Sequence, residues 1–420
     1  MFVSWWHAMV ACLLFAVASA HAAEVTLAGA IDLALKRNPA LVASRYELTA
    51  SQARVVQAGL RPNPELLLEF ENFAGRGEMS GVKSLETTLS LSQVIELGDK
   101  RRLRSAAALA DSDVASIEQR ARQLDVLADV TRRFVEVVTA QERVRLAGEA
   151  TQLARQTLDA INVRVEAART PVAEGSRARI AVTRAVIEER QALTALRAAR
   201  YGLAACWGDP EPAFTEASGD LFAFDAVQPL PSLLAKLERT PDITFFASQA
   251  RLRDAELQVA RAQARPNLTF SLGVRRLEAT DDLALVAGVS APLPMYDRNQ
   301  GVIREAQARR VQSDRELEAA MVRLRSTLQA TYEEMTASRE TVEALRAEAI
   351  PQATVALDQV KNGYERGRFS FLELASAQQE LLSLRASVLD AAADYHRLLA
   401  ELERLTSEPL TTELIEGALP

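Results

Sequence analysis

Cysteine is nearly absent from this 420-residue chain: Cys12 and Cys206 are the only two. Cys12 lies in an apolar N-terminal stretch, so once that stretch is removed no intrachain disulfide can form. Histidine is as scarce, with three in all. His396 alone stands clear of the N-terminal segment, and its neighbours Tyr395 and Arg397 suggest a packing or surface role. Met79, Met295, Met321 and Met335 are scattered. Soft metals favour thiolate, thioether or imidazole ligands, and no spacing here groups such side chains, so neither a resident metal nor a cofactor is expected. The chain also lacks a P-loop, a G-x-S-x-G elbow, a His-Glu-x-x-His pair and a Cys-x-x-Cys pair, so no enzyme is indicated. With a net charge of −7 and no basic stripe interleaved with aromatics, nucleic acid is not an expected partner. Beyond the N-terminus no apolar run reaches the ~18 residues of a membrane-crossing helix.

Residues 9–20 are apolar and end in small residues, Ala18-Ser19-Ala20 or Ala20-His21-Ala22, which suit cleavage of an export signal over residues 1–22. A membrane anchor and a lipidated Cys12 are the alternatives. The apolar run is short for an anchor, and Leu13-Leu14-Phe15 continue the apolar stretch behind Cys12.

What is present is said twice. LALKRNPALVASRYELTASQARVVQAGLRP (33–62) is echoed by AKLERTPDITFFASQARLRDAELQVARAQARP (235–266). Thr26 is placed to cap a helix through about Arg37. Asn38-Pro39 then restarts one, with Asn as cap and Pro at the first helical position, and Thr240-Pro241 repeats the device.

Each copy continues into two runs with the period-two alternation of strands: about 65–73 and 84–93 in the first, 267–276 and 282–291 in the second. One side of each run is aliphatic, as in Leu66, Leu68 and Phe70. The other carries Glu, Ser and Thr, as in Glu69, Glu71 and Glu86. Runs of ~10 residues suit tilted transmembrane strands, and a lipid-facing wall around a wet lumen has this pattern. Soluble hairpins packed on helices are the alternative. Four strands cannot close a barrel, and open edges are not tolerated in lipid, so a membrane location demands several copies of the chain.

Long helices follow each strand pair. Residues 99–169 contain no proline and a single glycine, Gly148, a rod of roughly 100 Å at ~1.5 Å per residue. Thr170-Pro171 turns it back, and a second helix returns to about Trp207. In the second copy the outgoing rod covers about 299–365, with a kink or break expected at Pro351. Gly367-Arg368-Phe369 turns it, and Ser370-Phe371-Leu372-Glu373 has the form of a capping box. The organisation expected is a first repeat over 23–207 with its tip near 168–171, and a linker over 208–229. A second repeat over 230–405 follows, with its tip near 366–370, and then a tail over 406–420.

Two segments carry a family resemblance. LSQVIELGDKRRLR (91–104) is close to a Q-x-I-E-L-G-G-K-R pattern, with Asp99 in place of the second glycine. GVSAPLPMYDRNQG (288–301) is close to P-L-P-x-F-D-R-N-x-G, with Tyr296 for Phe. PNPELLLEFEN (62–72) fits as well. Over essentially its whole mature length the chain resembles the TolC family of outer-membrane efflux factors, most nearly the outer-membrane components of cobalt–zinc–cadmium type metal efflux systems. The resemblance implies a mainly α protein with a small β part. Three chains would share a twelve-stranded outer-membrane β-barrel continued by a periplasmic α-helical barrel. The partners implied are two further copies, outer-membrane lipid, a periplasmic adaptor and an inner-membrane RND-type transporter. The cargo implied is a divalent metal cation. Export of organic compounds or secreted protein by the same architecture is the alternative. An adaptor or coiled-coil scaffold is a third reading, opposed by the tandem strand pairs.

Three groups of residues follow as candidate sites. Arg169, Thr170, Pro171 and Glu174 with Arg366, Gly367, Arg368, Phe369, Ser370 and Glu373 form the tips, where an adaptor would dock. Glu69, Glu71, Glu86, Glu174 and Glu373 are candidates to face the pore, where rings of carboxylates favour cations; for Glu373 a purely capping role competes. Gly98, Asp99, Lys100, Arg101, Pro292, Pro294, Asp297 and Arg298 are read as structural at the junction from strand to helix. There the glycine and prolines would make the bend, and Asp99 or Asp297 would satisfy exposed helix N–H groups.

Overall fold

The computed structural model describes residues 23–224 and 226–408; the export signal expected over 1–22 and most of the expected tail lie outside them. The chain opens with β1 (Ala23–Thr26), α1 (Leu27–Arg37) and α2 (Pro39–Ala58). The Thr26 hydroxyl accepts the Gly29 N–H and the Asn38 side chain accepts the Leu41 N–H, so both expected caps form. β2 (Glu65–Glu71) and β3 (Glu86–Ile95) lead into α3 (Lys100–Glu166), which is 67 residues long, and α4 (Val172–Ala205) returns beside it. The linker holds β4 (Phe214–Ser218). The second half repeats the order: α5 (Leu230–Lys236), α6 (Pro241–Gln263), β5 (Leu268–Leu277), β6 (Asp282–Ser290), α7 (Gln300–Ala344), α8 (Ile350–Glu365) and α9 (Phe371–Thr406).

β2, β3, β5 and β6 form one antiparallel sheet in that order. Its register sorts the side chains into rungs. Leu66, Leu91, Leu272 and Ala287 lie across one rung, and Leu68, Leu89, Val274 and Leu285 across another. All eight side chains are exposed in the described chain, Leu66 to 71% and Leu285 to 82%. The alternate rungs hold Glu65, Ser92, Ser271 and Gly288, or Leu67, Ser90, Gly273 and Val286. A β-carbon on Gly273 would come 2.7 Å from Ser90 Cβ, so the glycine lets the two backbones approach closely on that side.

The helices pack on seven-residue seams. On α9, Leu374, Leu381, Val388, Tyr395 and Leu402 are all buried, and on α7 so are Leu328, Met335 and Val342. Sustained seven-residue spacing produces a left-handed supercoil. At Pro351 the chain does not break. A π turn at Leu345–Ala349 leads directly into α8, which carries the proline in its first turn, so the wide turn absorbs the missing N–H and the ring.

The linker is more ordered than its composition suggests. β4 pairs in parallel with β1, a contact between chain start and chain middle that the sequence reading did not anticipate. Gln141 on α3 clamps it, accepting the Ala217 N–H at 2.8 Å and donating to the Ala217 carbonyl at 2.9 Å. Around it Phe134, Val137, Leu203, Trp207 and Phe214 form the largest core. His396 is a packing residue: its ring stacks on Phe224 and its Nε2 lies 3.1 Å from the Leu221 carbonyl.

Candidate functional site

Both rods end in the same backbone device. The Arg169 N–H reaches the Arg164 carbonyl and the Ala168 N–H the Val165 carbonyl; likewise Arg368 reaches Gly363 and Gly367 reaches Tyr364. These are paired Schellman closures, which need a left-handed residue at the turn. Gly367 supplies it at φ 74° and Ala168 at φ 53°. Pro171 starts α4 without a side-chain cap, whereas Ser370 and Glu373 form the complete capping box expected. The backbone and hydroxyl of Ser370 donate to the Glu373 carboxylate and hold it below the usual carboxylate range.

Between the tips lies a clamp built on Arg164 and Tyr364, two residues outside the candidate tip groups. Arg164, near the end of α3, donates from Nη1 to the carbonyls of Tyr364 (3.0 Å) and Glu365 (3.1 Å), and from Nε to the Thr170 hydroxyl (3.3 Å). Its guanidinium stands 4.7 Å from the centre of the Tyr364 ring. The Tyr364 hydroxyl donates to Glu174 at 3.5 Å; burial, then the Glu174 charge, raises the phenol above its ordinary range. Tyr364 is buried with Ile161, Ala178, Phe371 and Leu374 in a small core. Arg169, Arg366 and Arg368 are exposed, and Phe369 covers Gly363 so closely that a β-carbon there would fall 2.1 Å from the ring. Thus Thr170 and Glu174 join one network, while Glu373 serves its own helix.

On the sheet, register places Glu69, Glu71 and Glu86 together on one face, opposite the face of Leu66, Leu68 and Phe70. Two of these carboxylates are not free. Arg275 on β5 places Nη1 2.6 Å from Glu86 and Nη2 2.9 Å from Glu71, and donates from Nε to Thr88 at 2.9 Å. The Glu71 contact has ion-pair distance without hydrogen-bond alignment, since Oε2 of Glu71 lacks a hydrogen-bond partner. Arg275 carried no local signal in the sequence; only strand register brings it to the two glutamates.

At the junction, Gly98 has φ 76°, and a β-carbon on it would meet Arg265 Cδ at 2.6 Å. The capping expected of Asp99 and Asp297 is not what forms. Asp99 sits at the N-cap of α3 in the left-handed region without a side-chain cap, its carboxylate turned to Arg102. Asp297 accepts the Asn299 N–H at 2.8 Å, and it is Asn299, also left-handed, that precedes α7. A left-handed residue aims its side chain away from the first-turn N–H groups that an extended cap would reach. Asn299 instead donates to the Ala260 carbonyl at 2.6 Å. Lys100 donates to Asn267 at 2.6 Å, tying the first rod to the start of β5, and desolvation lowers its pKa. Arg298 reaches the Pro294 carbonyl at 3.3 Å; Pro292 and Arg101 are exposed. Glu96 and Arg104, also unanticipated, form a two-pronged ion pair beside this bend.

The outer membrane efflux protein family model matches residues 30–209 and 234–408. The cobalt-zinc-cadmium resistance protein CzcC of Cupriavidus metallidurans is 32% identical over 387 residues, covering 91% of this chain and 90% of its own. The nickel and cobalt resistance protein CnrC of the same organism is 27% identical over 70% of this chain and 69% of its own. Among solved structures, CusC, described in terms of folding and transmembrane channel formation, superposes with a TM-score of 0.77 at 16% identity, covering 90% of this chain and 91% of its own. The chain belongs to the outer membrane efflux protein family, whose members work in the outer membrane as efflux proteins rather than as enzymes.

Proposed function

We propose that three copies of this chain form the exit duct of a tripartite pump that expels divalent metal cations of the zinc, cobalt and cadmium type. The observation that supports the duct is the two-faced sheet with open edges at the end of rods ~100 Å long. β2 and β6 are its outer strands, and unpaired edges are not tolerated in hydrocarbon. An even number of antiparallel strands leaves β6 of one copy antiparallel to β2 of the next, so three copies close a twelve-stranded barrel without a parallel seam. The aliphatic rungs then meet lipid and the glutamate-bearing rungs line the lumen. The rods continue the wall toward the inner membrane.

On this reading the tips meet a periplasmic adaptor and an inner-membrane RND-type transporter. Arg169, Arg366, Arg368 and Phe369 offer the exposed contact surface. The Arg164–Tyr364–Glu174 network holds the two hairpins together at the narrow end, and Glu174 and Glu373 contribute six carboxylates in the trimer. The metal cargo rests on the likeness to CzcC over nine-tenths of both chains.

The test is growth of a strain deleted for this gene and its paralogous channels across zinc, cobalt, cadmium, nickel, copper and silver, with a dye and a detergent as controls. Selective sensitivity to zinc, cobalt or cadmium, with raised cell metal, is expected. Sensitivity confined to dye and detergent would overturn the metal cargo and leave the duct standing.

A further inference from the structure

A groove of about 570 Å³ opens beside the linker, between α3, α9 and the π turn. Three guanidiniums line it, Arg145, Arg346 and Arg385, against one carboxylate, Glu149. Glu149 is shared by Arg145 and Arg385. Among the described residues no carboxylate pairs with Arg346, whose guanidinium lies 4.6 Å from the Phe222 ring centre. The floor is apolar: Leu146, Ile350 and Val388. The groove therefore suits an acidic segment with aliphatic side chains.

We propose that its occupant is residues 409–420 of the same chain. That segment, PLTTELIEGALP, carries Glu413 and Glu416, no basic residue, and Leu414, Ile415 and Leu419. Its starting point faces the right way. The stretch from Leu221 through α5 runs along α9, with Leu221 at His396, Phe224 at Tyr395, and Leu233 and Leu237 in one core with Leu398 and Leu402. At its far end Lys236 pairs with Glu408. The chain thus leaves α9 beside the far end of that stretch, and the groove lies at its other end, beside Phe222. The distance fits too. From Ser407 back to Val388 is 19 residues of helix, about 28 Å. From Glu408 to Glu416 is eight residues, about 26 Å when extended. Fully extended, Glu416 reaches Arg346 and Arg385, and Leu419 beyond it lies over the apolar floor.

The test uses the full chain in native outer membranes, with Leu419→Cys and Ile350→Cys introduced together and each single variant as control. Cys206 is buried, and desolvation pushes its thiol up to about 11, so it stays unreactive. A short bis-maleimide is expected to form a cross-link within one chain. Arg346→Glu should weaken it about fivefold, the scale of one exposed ion pair, and Glu416→Arg in the same chain should restore it. In parallel, Ile350→Cys alone should react faster with a soluble maleimide once the chain is truncated after Glu408. Absence of the cross-link, or indifference to the charge at position 346, overturns the proposal. So does a cross-link between chains, which would place a neighbour's tail in the groove. Equal reactivity with and without the tail also overturns it, and would leave the groove to another partner.

Discussion

Arg164 is the side chain whose loss should most change the narrow end of the duct. It joins the outgoing rod of the first repeat to the outgoing rod of the second through two carbonyls and one ring face, and it holds the Thr170 hydroxyl of its own tip. A hydrogen bond from a charged donor contributes about 1.5–3 kcal/mol when shielded. Arg164 is only half-buried, so roughly 2–3 kcal/mol per copy is the expected coupling between the hairpins, equivalent to about a 30- to 150-fold shift in the balance between joined and parted tips. With the joined tips taken as the closed state of the narrow end, Arg164→Ala should raise the open fraction of single channels in planar bilayers by that order. Arg164→Lys keeps the charge but loses the fork, so it should fall between. The assembled protein should resist heat as the parent does, because the small core of Ile161, Phe371 and Leu374 is untouched. An unchanged open fraction in a properly assembled Arg164→Ala protein would refute the clamp.

Arg275→Met leaves Glu71 and Glu86 facing each other on neighbouring strands. It should cost about 1–3 kcal/mol in thermal unfolding and raise cation over anion permeability, read from the reversal potential in a salt gradient. Gly98→Ala sets an L-residue at φ 76° against Arg265 and should destabilise by about 1–2 kcal/mol; Ala168→Gly, which relieves φ 53°, should stabilise by about 1 kcal/mol in the same melts. The Glu373 carboxyl is held below 4.5 by its bonds from Ser370. Its contribution is therefore complete above the unfolded value and is lost as pH falls through the folded one. Protease cleavage at residues 366–371 should rise below about pH 4.5, and Glu373→Gln should flatten that rise.

The parts of the fold legible in the sequence are those whose signal is local. Alternation over ten residues fixed the strands to within about two positions, and Thr26 and Asn38 announced helix starts that form as expected. What escaped depends on partners far along the chain. β1 and β4 are four and five residues long, too short for a period to show, and each has a partner only because the other exists. Arg164 is one of many arginines on a long helix, and its role arises from Tyr364 two hundred residues on. A tyrosine placed next to a tip glycine, in a chain with six tyrosines, was the available hint. Asp99 misled because an aspartate before a helix usually caps it, and nothing local shows that its backbone is left-handed.

The π turn has two possible causes, and they can be separated. Pro351 cannot continue an α-helix without losing a bond to residue 347 and crowding its carbonyl, at a cost of about 3 kcal/mol. The packing supplies an independent reason. The buried seam on α7 is Leu328, Met335 and Val342. On α8 the apolar positions are Ile350, Leu357 and Tyr364, again seven apart. From 342 to 350 is eight, so the sequence carries one residue more than the seam allows. A π turn takes up such a residue; without it, everything toward the tip would rotate by about 100° and lift Leu357 and Tyr364 off their partners. If phase is the cause, Pro351→Ala alone keeps the π turn and changes stability by less than about 1 kcal/mol. Removing Ala347 alone restores the seam but forces the proline into α geometry, costing about 3 kcal/mol. The two changes together should return close to the parent. Removing Ala330 instead, with Pro351 intact, throws Met335 and Val342 out of phase and should cost about 3–5 kcal/mol. Chemical denaturation of the four proteins distinguishes the causes. If removal of Ala347 remains costly in the Pro351→Ala background, the seven-residue argument is wrong and the turn exists for the proline alone.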